Sequence, residues 1–567
     1  MPIFFSVPLI IFISFLSFIV LTGWGVLTNK LFKLFHKAHH FSTYTLLGLI
    51  SISFFLEVYH FQFPIDWRAT LLISLIGLIS FFLLHLSSAK LFCMSCVKAI
   101  QENKLISILI AFIVFYWILR ITKLPTNYDT AAYHIQTIRW NNEFALIPGL
   151  GNLWLHLAYN QSYFLLLALF RAFPFFLNGY MLGSLIFFLL IGLVLLERKS
   201  SPYINFGFIS FFLYLIAHPA GSTLFSASPD LVVSFIQIII FILFLSFVGY
   251  KNSKENKAEL VALIVLLCTY LFTVKITSVI FSFLIFLLVL FQVNFKSTKE
   301  RALIAKLLVF CLLILTAHLT TGYLLSGAPF FPSSIGSFQN LNWAVPLQLS
   351  NLEIDDLWYA TRMPNLDRNS YIFENWQWLP FWFKNLSFLN YIYLFLAFIG
   401  TILNGYVLNN LRKLKNYSKS YFLNLFSFAC FFAILFWFFT APDFRYLSAT
   451  LEIYISFSLL LLIKNFSSRA YLIYFQSLDF VKFISIIMVL AILPALNENI
   501  FSPWNSILDV SVSKNISKYG VELNIPNNGL CWDSNLPCVY YSNPELRFLD
   551  SDGITSGFSL KYGSSSF

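Results

Sequence analysis

The chain has 567 residues, of which 59% are hydrophobic and only 11% are charged, whereas soluble domains are about 25% charged. This composition, with a mean hydropathy of +0.77, excludes a water-soluble globule, a disordered chain, a collagen-like repeat, a coiled coil and a disulfide scaffold. The net charge of +11 does not indicate nucleic-acid binding, because the charges lie in short clusters between apolar runs. A β-barrel would alternate apolar and polar residues. We therefore predict an all-α polytopic membrane protein.

Apolar runs long enough to cross a hydrocarbon core of about 30 Å predict some fourteen transmembrane helices. They lie near residues 3–22, 41–58, 69–88, 105–122, 180–196, 204–218, 230–249, 258–274, 276–293, 303–320, 389–408, 421–439, 447–463 and 480–497. The first run has no positively charged segment before it, so we expect a retained helix rather than a signal peptide.

Lys and Arg are concentrated in alternate short loops, which predicts that both termini lie outside the cytoplasm. Residues 161–177 are apolar, but counting them as a span would invert every later loop. We therefore expect them to lie in the interface or to re-enter on the outer face. Three outer segments are large enough for chemistry: 123–179, 321–388 and the polar tail 498–567.

Asp129 heads the first outer segment, in Tyr128-Asp-Thr-Ala-Ala-Tyr-His134. It is either a helix cap or a carboxylate at the mouth of a membrane active site, acting as general base or metal ligand. His134 would lie roughly 140° round an α-helix from Asp129. A metal pair of these two residues on one helical face is therefore not expected, and His134 alone is either a satisfied polar residue or part of the site.

Two further charges lie at predicted outer helix ends. Asp230, in Ser228-Pro-Asp230, fits an ordinary helix start or a functional carboxylate. Lys275 lies at the junction of two apolar runs, where it either snorkels or neutralises a lipid phosphate. Both remain candidates because charges at the membrane edge are costly.

Asp443 and Arg445 lie in a very short outer turn. They either pair only with each other or take part in a site, since the planar guanidinium binds phosphate bidentately.

The 321–388 segment holds five Trp residues. These fit an interfacial aromatic belt, or rings that pack on the apolar faces of sugars. In the tail, Cys531 and Cys538 predict a short disulfide loop, because an outer location is oxidising. We find no Walker loop, dinucleotide-binding glycine fingerprint, HExxH helix or serine elbow.

These landmarks together resemble a known class. The polar outer loop with an Asp near its start is similar to the first extracytoplasmic loop of GT-C-fold glycosyltransferases, which use lipid-phosphate-linked sugars. More closely, the chain resembles an uncharacterised bacterial membrane protein family that is thought to be GT-C-like. The segments that carry this resemblance are Tyr128–His134, Ile147-Pro-Gly-Leu-Gly-Asn152, Ser228-Pro-Asp230, Ser326-Gly-Ala-Pro-Phe330, Pro442-Asp-Phe-Arg445 and the Cys531–Cys538 block.

The resemblance implies a glycosyltransferase of the bacterial inner membrane. It would move a sugar from a polyprenyl-phosphate donor to an outer-face glycan, lipid or protein acceptor. Asp129 would be catalytic, and His134, Asp230, Lys275, Asp443 and Arg445 would bind substrate. A divalent cation stays open, since a single Asp129 stands where the class often has two adjacent acidic residues. A lipid-linked glycan transporter or flippase, an O-antigen polymerase or ligase, and a non-catalytic scaffold remain alternatives.

The same resemblance divides the chain into three parts. Residues 1–104 would be transmembrane helices additional to a minimal GT-C core, residues 105–497 would form that core, and residues 498–567 would form an extracytoplasmic tail.

Overall fold

The structure is a computed structural model of the whole chain. It describes residues 3–35, 40–84, 104–173, 178–198, 203–217, 224–249, 254–293, 297–362, 376–411, 417–466 and 510–560, with a few single residues besides.

Helices dominate the described residues. In chain order the α-helices are α1 (Ile3–Phe32), α2 (Phe41–His60), α3 (Trp67–Leu84), α4 (Lys104–Ile121), α5 (Ile135–Glu143), α6 (Leu150–Leu153), α7 (Tyr163–Arg171), α8 (Leu182–Glu197), α9 (Ile204–Ala217), α10 (Pro229–Gly249), α11 (Lys254–Val274), α12 (Val279–Leu290), α13 (Thr298–Ser326), α14 (Leu347–Arg362), α15 (Leu379–Lys384), α16 (Phe388–Leu411), α17 (Tyr417–Thr440), α18 (Phe444–Leu447) and α19 (Thr450–Phe466).

Within the described residues, nine helices are long and apolar enough to cross a membrane: α1, α2, α3, α8, α10, α11, α13, α16 and α17. Shorter apolar helices lie at α4, α9, α12 and α19. Every predicted run before residue 464 coincides with one of these helices, because long apolar segments satisfy their backbone groups internally as helices. The run at 480–497 lies almost wholly outside the described residues. The chain is thus a mostly helical, membrane-embedded protein.

The N-terminal helices pack directly on the rest of the bundle. Helix α2 contacts α1, α7, α8, α11 and α13. One of these contacts is a buried pair between Glu57 on α2 and His318 on α13, whose Oε1 and Nδ1 atoms are 3.0 Å apart. Thr43 on α2 also donates a hydrogen bond to Glu259 on α11 at 3.0 Å.

The apolar segment after Gln161 forms α7, which has nine residues and is therefore about 13 Å long, too short to cross a membrane. Tyr163–Phe170 are all buried, and α7 packs against α2, α3, α5, α8 and α10. The segment is therefore not a span, as the sequence predicted, and within the bundle it is covered by other helices. Its depth in the interface or as a re-entrant segment stays a prediction.

The tail forms four short strands that the sequence did not predict. Strand β1 (Val512–Ile516) pairs antiparallel with β2 (Glu522–Pro526), and β3 (Leu546–Phe548) pairs antiparallel with β4 (Phe558–Leu560). Cys531 and Cys538 are joined in a disulfide and are completely buried.

The tail packs on the 123–179 segment. Arg171 binds both carboxylate oxygens of Asp533 at 2.8 and 2.9 Å, and Trp532 N–H donates to the Ala131 carbonyl at 2.7 Å. Gly149 has a φ of +68°, and a Cβ there would lie 2.1 Å from the Phe558 carbonyl oxygen. A larger residue at Gly149 would therefore push β4 away.

The segment after α13 lies on the same side of the bundle as the other two. Gly149 N–H donates to the Leu324 carbonyl at 2.7 Å, and Val345 N–H donates to the Ser326 carbonyl at 2.8 Å. The 123–179 segment, residues 321–362 and the tail are thus packed together.

Candidate active site

Asp129 does not cap the helix that follows it. The cap is Asn127, whose Oδ1 accepts hydrogen bonds from Thr130 N at 2.9 Å and Thr130 Oγ1 at 3.0 Å. The carboxylate of Asp129 makes no capping hydrogen bond. It points instead to Arg445, which donates from Nη1 to Asp129 Oδ2 at 3.1 Å.

The stretch Thr130–His134 is one turn of π-helix, whereas the sequence predicted an α-helix. Single π turns are rare and occur often at functional sites. Within this turn His134 contacts Thr130, with 3.1 Å between Nδ1 and Oγ1.

Arg445 joins two carboxylates. Its Nε donates to Asp443 Oδ2 at 3.0 Å, and its backbone N–H donates to Asp443 Oδ1 at 2.9 Å. Asp443 therefore caps α18 and holds the guanidinium at the same time. These carboxylates raise the pKa of Arg445 although burial opposes the shift. The guanidinium is thus a fixed positive charge between Asp129 and Asp443.

Lys275 and Asp230 form the second ion pair of the site. Lys275 follows α11 directly, and Asp230 lies in the first turn of α10 with Ser228 Oγ 3.2 Å from its Oδ2. Both charged side chains are largely buried, at 12% and 8% exposed. Ser228 Oγ also accepts a hydrogen bond from Asp230 N–H at 3.3 Å, so the ordinary helix start is present. The pairing of Asp230 with Lys275 is an addition that the sequence did not predict.

The ring of Tyr446 links the two ion pairs. Lys275 Nζ lies 4.4 Å from the ring centroid, and Arg445 Cζ lies 5.5 Å from it. Both cations therefore lie next to the same ring. Cations are attracted to an aromatic face. Burial is the main cause that raises the pKa of the Tyr446 hydroxyl, which keeps it protonated at neutral pH.

Tyr133 and His134 lie next to the charged residues of this cluster. Burial lowers the pKa of His134 to about 3, so the imidazole is neutral at physiological pH. Burial, together with the nearby carboxylate of Asp129, raises the pKa of Tyr133 well above its usual value. Both residues are therefore uncharged groups next to the ion pairs.

A second polar cluster, which the sequence did not predict, adjoins Tyr133. The ring centroid of Tyr133 lies 4.8 Å from that of His156 and 6.3 Å from that of Tyr159. Tyr159 donates its hydroxyl hydrogen to the buried carboxylate of Glu353 on α14, and His156 Nε2 lies 3.8 Å from the same carboxylate. Glu353 thus connects α14 to the 123–179 segment beside the charged residues.

The five charged candidates carry three negative and two positive charges. All of them lie in one region, together with the neutral His134. In the part of the chain that the structure describes, no three His, Cys, Asp or Glu side chains are grouped as metal ligands. Arg445 and Lys275 supply the positive charge among these carboxylates.

The Trp residues of the 321–388 segment divide between two environments. Trp378 and Trp382 are buried, whereas Trp358 and Trp376 are about half exposed. Trp382 Nε1 donates to the Pro442 carbonyl at 2.6 Å. The buried rings therefore support the turn that carries Asp443 and Arg445.

A family model described as a domain of unknown function, DUF8201, matches residues 8–452. The chain belongs to the DUF8201 family. No curated protein and no solved structure matches it.

The DUF8201 match extends from α1 to the first turn of α19. It includes all five charged candidates, and it also includes the N-terminal helices. The docked tail lies beyond the match, although its Trp532 N–H is bonded to Ala131 two residues from Asp129.

Proposed function

We propose that this DUF8201 protein is a membrane glycosyltransferase that transfers a sugar from a polyprenyl-phosphate donor to a hydroxyl acceptor. The observation that carries the proposal is the convergence of Asp129, Asp230, Lys275, Asp443 and Arg445 from four separate parts of the chain. Charges at the edge of an apolar bundle are costly, and residues with perturbed ionisation gather at functional sites.

The two cations suit the phosphate of the donor. Arg445 is 39% exposed, and its planar guanidinium offers paired N–H groups to a phosphate. Lys275 supplies a second positive charge beside the same tyrosine ring. In the proposed mechanism they bind the phosphate and stabilise the charge that develops as the lipid phosphate leaves.

Asp129 is proposed as the general base. An ionised carboxylate accepts a proton and cannot donate one, and Asp129 is about one-third exposed at the edge of the cluster. The attacking oxygen of the acceptor forms a bond to the anomeric carbon, its proton passes to Asp129, and the carbon–oxygen bond to the phosphate breaks. The electron pair of that bond leaves with the lipid phosphate.

The sugar and its acceptor are proposed to contact the second cluster. Tyr133, His156 and Tyr159 are half-buried rings, and aromatic faces pack on the apolar faces of sugar rings. The Glu353 carboxylate beneath them is an acceptor for hydroxyl groups. This lining lies beside Asp129, where the transferred sugar has to be.

The test is a transfer reaction with the purified full chain and a panel of polyprenyl-phosphate sugars, with bacterial envelope extract as the source of acceptor. We expect donor-dependent release of polyprenyl phosphate and appearance of the sugar on an acceptor. Movement of intact lipid-linked sugar across a vesicle membrane without cleavage would instead favour the transporter alternative. Neither cleavage nor movement with any donor would contradict both.

A further inference from the structure

We propose that the donor phosphate takes over Arg445 from Asp129, so that binding of the donor is what frees the base. In the structure the guanidinium is shared between Asp129 and Asp443. The phosphate would replace the first carboxylate and leave the second in place. This inference rests on the proposed function, since it concerns the same phosphate.

The two carboxylates are held very differently. Asp443 binds Arg445 through two hydrogen bonds, one to the backbone N–H and one to Nε. Its backbone carbonyl also accepts a hydrogen bond from Trp437 Nε1 at 2.6 Å. Among the described residues, Asp129 has one side-chain hydrogen bond, to Nη1 of Arg445. Asp129 is therefore the carboxylate that exchanges.

Asp129 is also the more exposed of the two carboxylates, at 32% against 24% for Asp443. Exposed ion pairs are weak because water screens them. Arg445 Nη2 makes no hydrogen bond to the described residues. A phosphate approaching from solvent can bind Nη2 first and then Nη1, which gives the stronger paired geometry.

The charge of the cluster favours exchange over simple addition. Three carboxylates and two cations give these five residues one net negative charge, and His134 and Tyr446 beside them are neutral. An added phosphate would face these carboxylates at close range, where like charges repel. Moving Asp129 away from the guanidinium removes one of them from the position that the phosphate takes.

The exchange sets an order for the reaction. While Arg445 Nη1 donates a hydrogen bond to Asp129 Oδ2, the guanidinium occupies one oxygen of that carboxylate. After the phosphate has taken Nη1, Asp129 is free to accept the proton of the acceptor hydroxyl. Activation of the acceptor therefore follows binding of the donor.

The exchange makes different predictions for the two carboxylates. Affinity for farnesyl phosphate, a short lipid phosphate, is measured with the purified full chain for wild type, Asp129→Asn and Asp443→Asn. We expect Asp129→Asn to bind about two- to five-fold tighter, the range for loss of one competing exposed ion pair. Asp443→Asn should tighten binding less than Asp129→Asn, because it relieves only the like-charge repulsion and exchanges no contact with the guanidinium, and Asn still caps α18.

Equal tightening in both variants would mean a general effect of removing negative charge, and would overturn the exchange. Unchanged affinity in Asp129→Asn would also overturn it while leaving the proposed function intact. Farnesol, which lacks the phosphate, is the second probe, and equal binding of farnesol and farnesyl phosphate to wild type would contradict the phosphate site itself. Inorganic phosphate is the third probe. If it binds as tightly as farnesyl phosphate, the ligand is free phosphate and the proposed lipid donor is wrong.

Discussion

Arg445 and Asp129 lie 316 positions apart in the chain and are joined by a hydrogen bond of 3.1 Å. The first residue belongs to the short turn between α17 and α19, and the second heads the 123–179 segment. The bond connects the turn that follows α17 to the first large polar segment of the chain. The candidate site therefore depends on the fold of almost the whole DUF8201 region.

The Lys275–Asp230 pair gives a prediction about stability. Lys275→Met would leave the buried Asp230 carboxylate without its cation, and breaking a buried pair from one side typically costs about 3–5 kcal/mol. We expect a clear fall in the unfolding midpoint of the detergent-purified protein. The double variant Lys275→Met/Asp230→Asn should recover much of the loss, because no uncompensated charge remains. A single variant as stable as wild type would contradict the pairing.

The neutral His134 gives a prediction about pH. Its pKa is about 3 in the folded protein against 6.5 for the free side chain, so the unfolded chain binds a proton there more readily. The stabilising contribution is complete above pH 6.5 and is lost progressively as the pH falls towards 3. Thermal unfolding between pH 7 and pH 4 should show a smaller loss of stability in His134→Gln than in wild type. Identical pH profiles would contradict a buried, neutral imidazole.

The sequence located the charged candidates and offered the Asp443–Arg445 pair, but it did not predict the pairs of Asp129 with Arg445 and of Asp230 with Lys275. A charge in an apolar chain is conspicuous because of its cost, and this criterion found Asp129, Asp230, Lys275, Asp443 and Arg445. The partners of Asp129 and Lys275 depend on contacts between distant parts of the chain. Local sequence patterns carry no information about such contacts.

Other parts of the site had no sequence signal that we could read. The π turn at Thr130–His134 breaks the α-helical period. Asn127, rather than Asp129, forms the cap, and the two residues are equally good capping types. Glu353 lies in α14 among other polar residues, and only the tertiary fold shows that it is buried against Tyr159.

The disulfide in the tail gives a further prediction. Replacing both Cys531 and Cys538 by Ser should destabilise the tail by about 2 kcal/mol, since the bridge restricts the unfolded chain. Because Trp532 is bonded to the 123–179 segment, limited proteolysis should then cleave the tail faster. Mass spectrometry of the non-reduced wild-type protein is the direct check. Two free thiols would argue against the bridge and against an oxidising location of the tail.

The predicted outward orientation of the 123–179 segment and the tail implies a labelling pattern. Thr126 and Tyr519 are exposed on the side of the bundle that carries the candidate site. Leu31, in the last turn of α1, is exposed on the opposite side of the bundle. A membrane-impermeant maleimide should label Thr126→Cys and Tyr519→Cys in intact cells above the background of the parent chain. Leu31→Cys should be labelled only after permeabilisation. The reverse pattern would place the site in the cytoplasm.

The role of Asp129 is tested most directly by the transfer rate of Asp129→Asn, measured with the purified full chain and a polyprenyl-phosphate sugar. Asn keeps the size of the side chain and removes the charge, and Asn127 still caps the following turn, so the variant should fold like wild type. We predict a transfer rate at least ~10²-fold lower, the loss expected when a general base is removed, with farnesyl phosphate still bound. Arg445→Lys is the matched comparison, and it should weaken phosphate binding while leaving some turnover, since Lys keeps the charge and loses the fork. Full activity of a well-folded Asp129→Asn protein would remove Asp129 from the mechanism and contradict the proposed site.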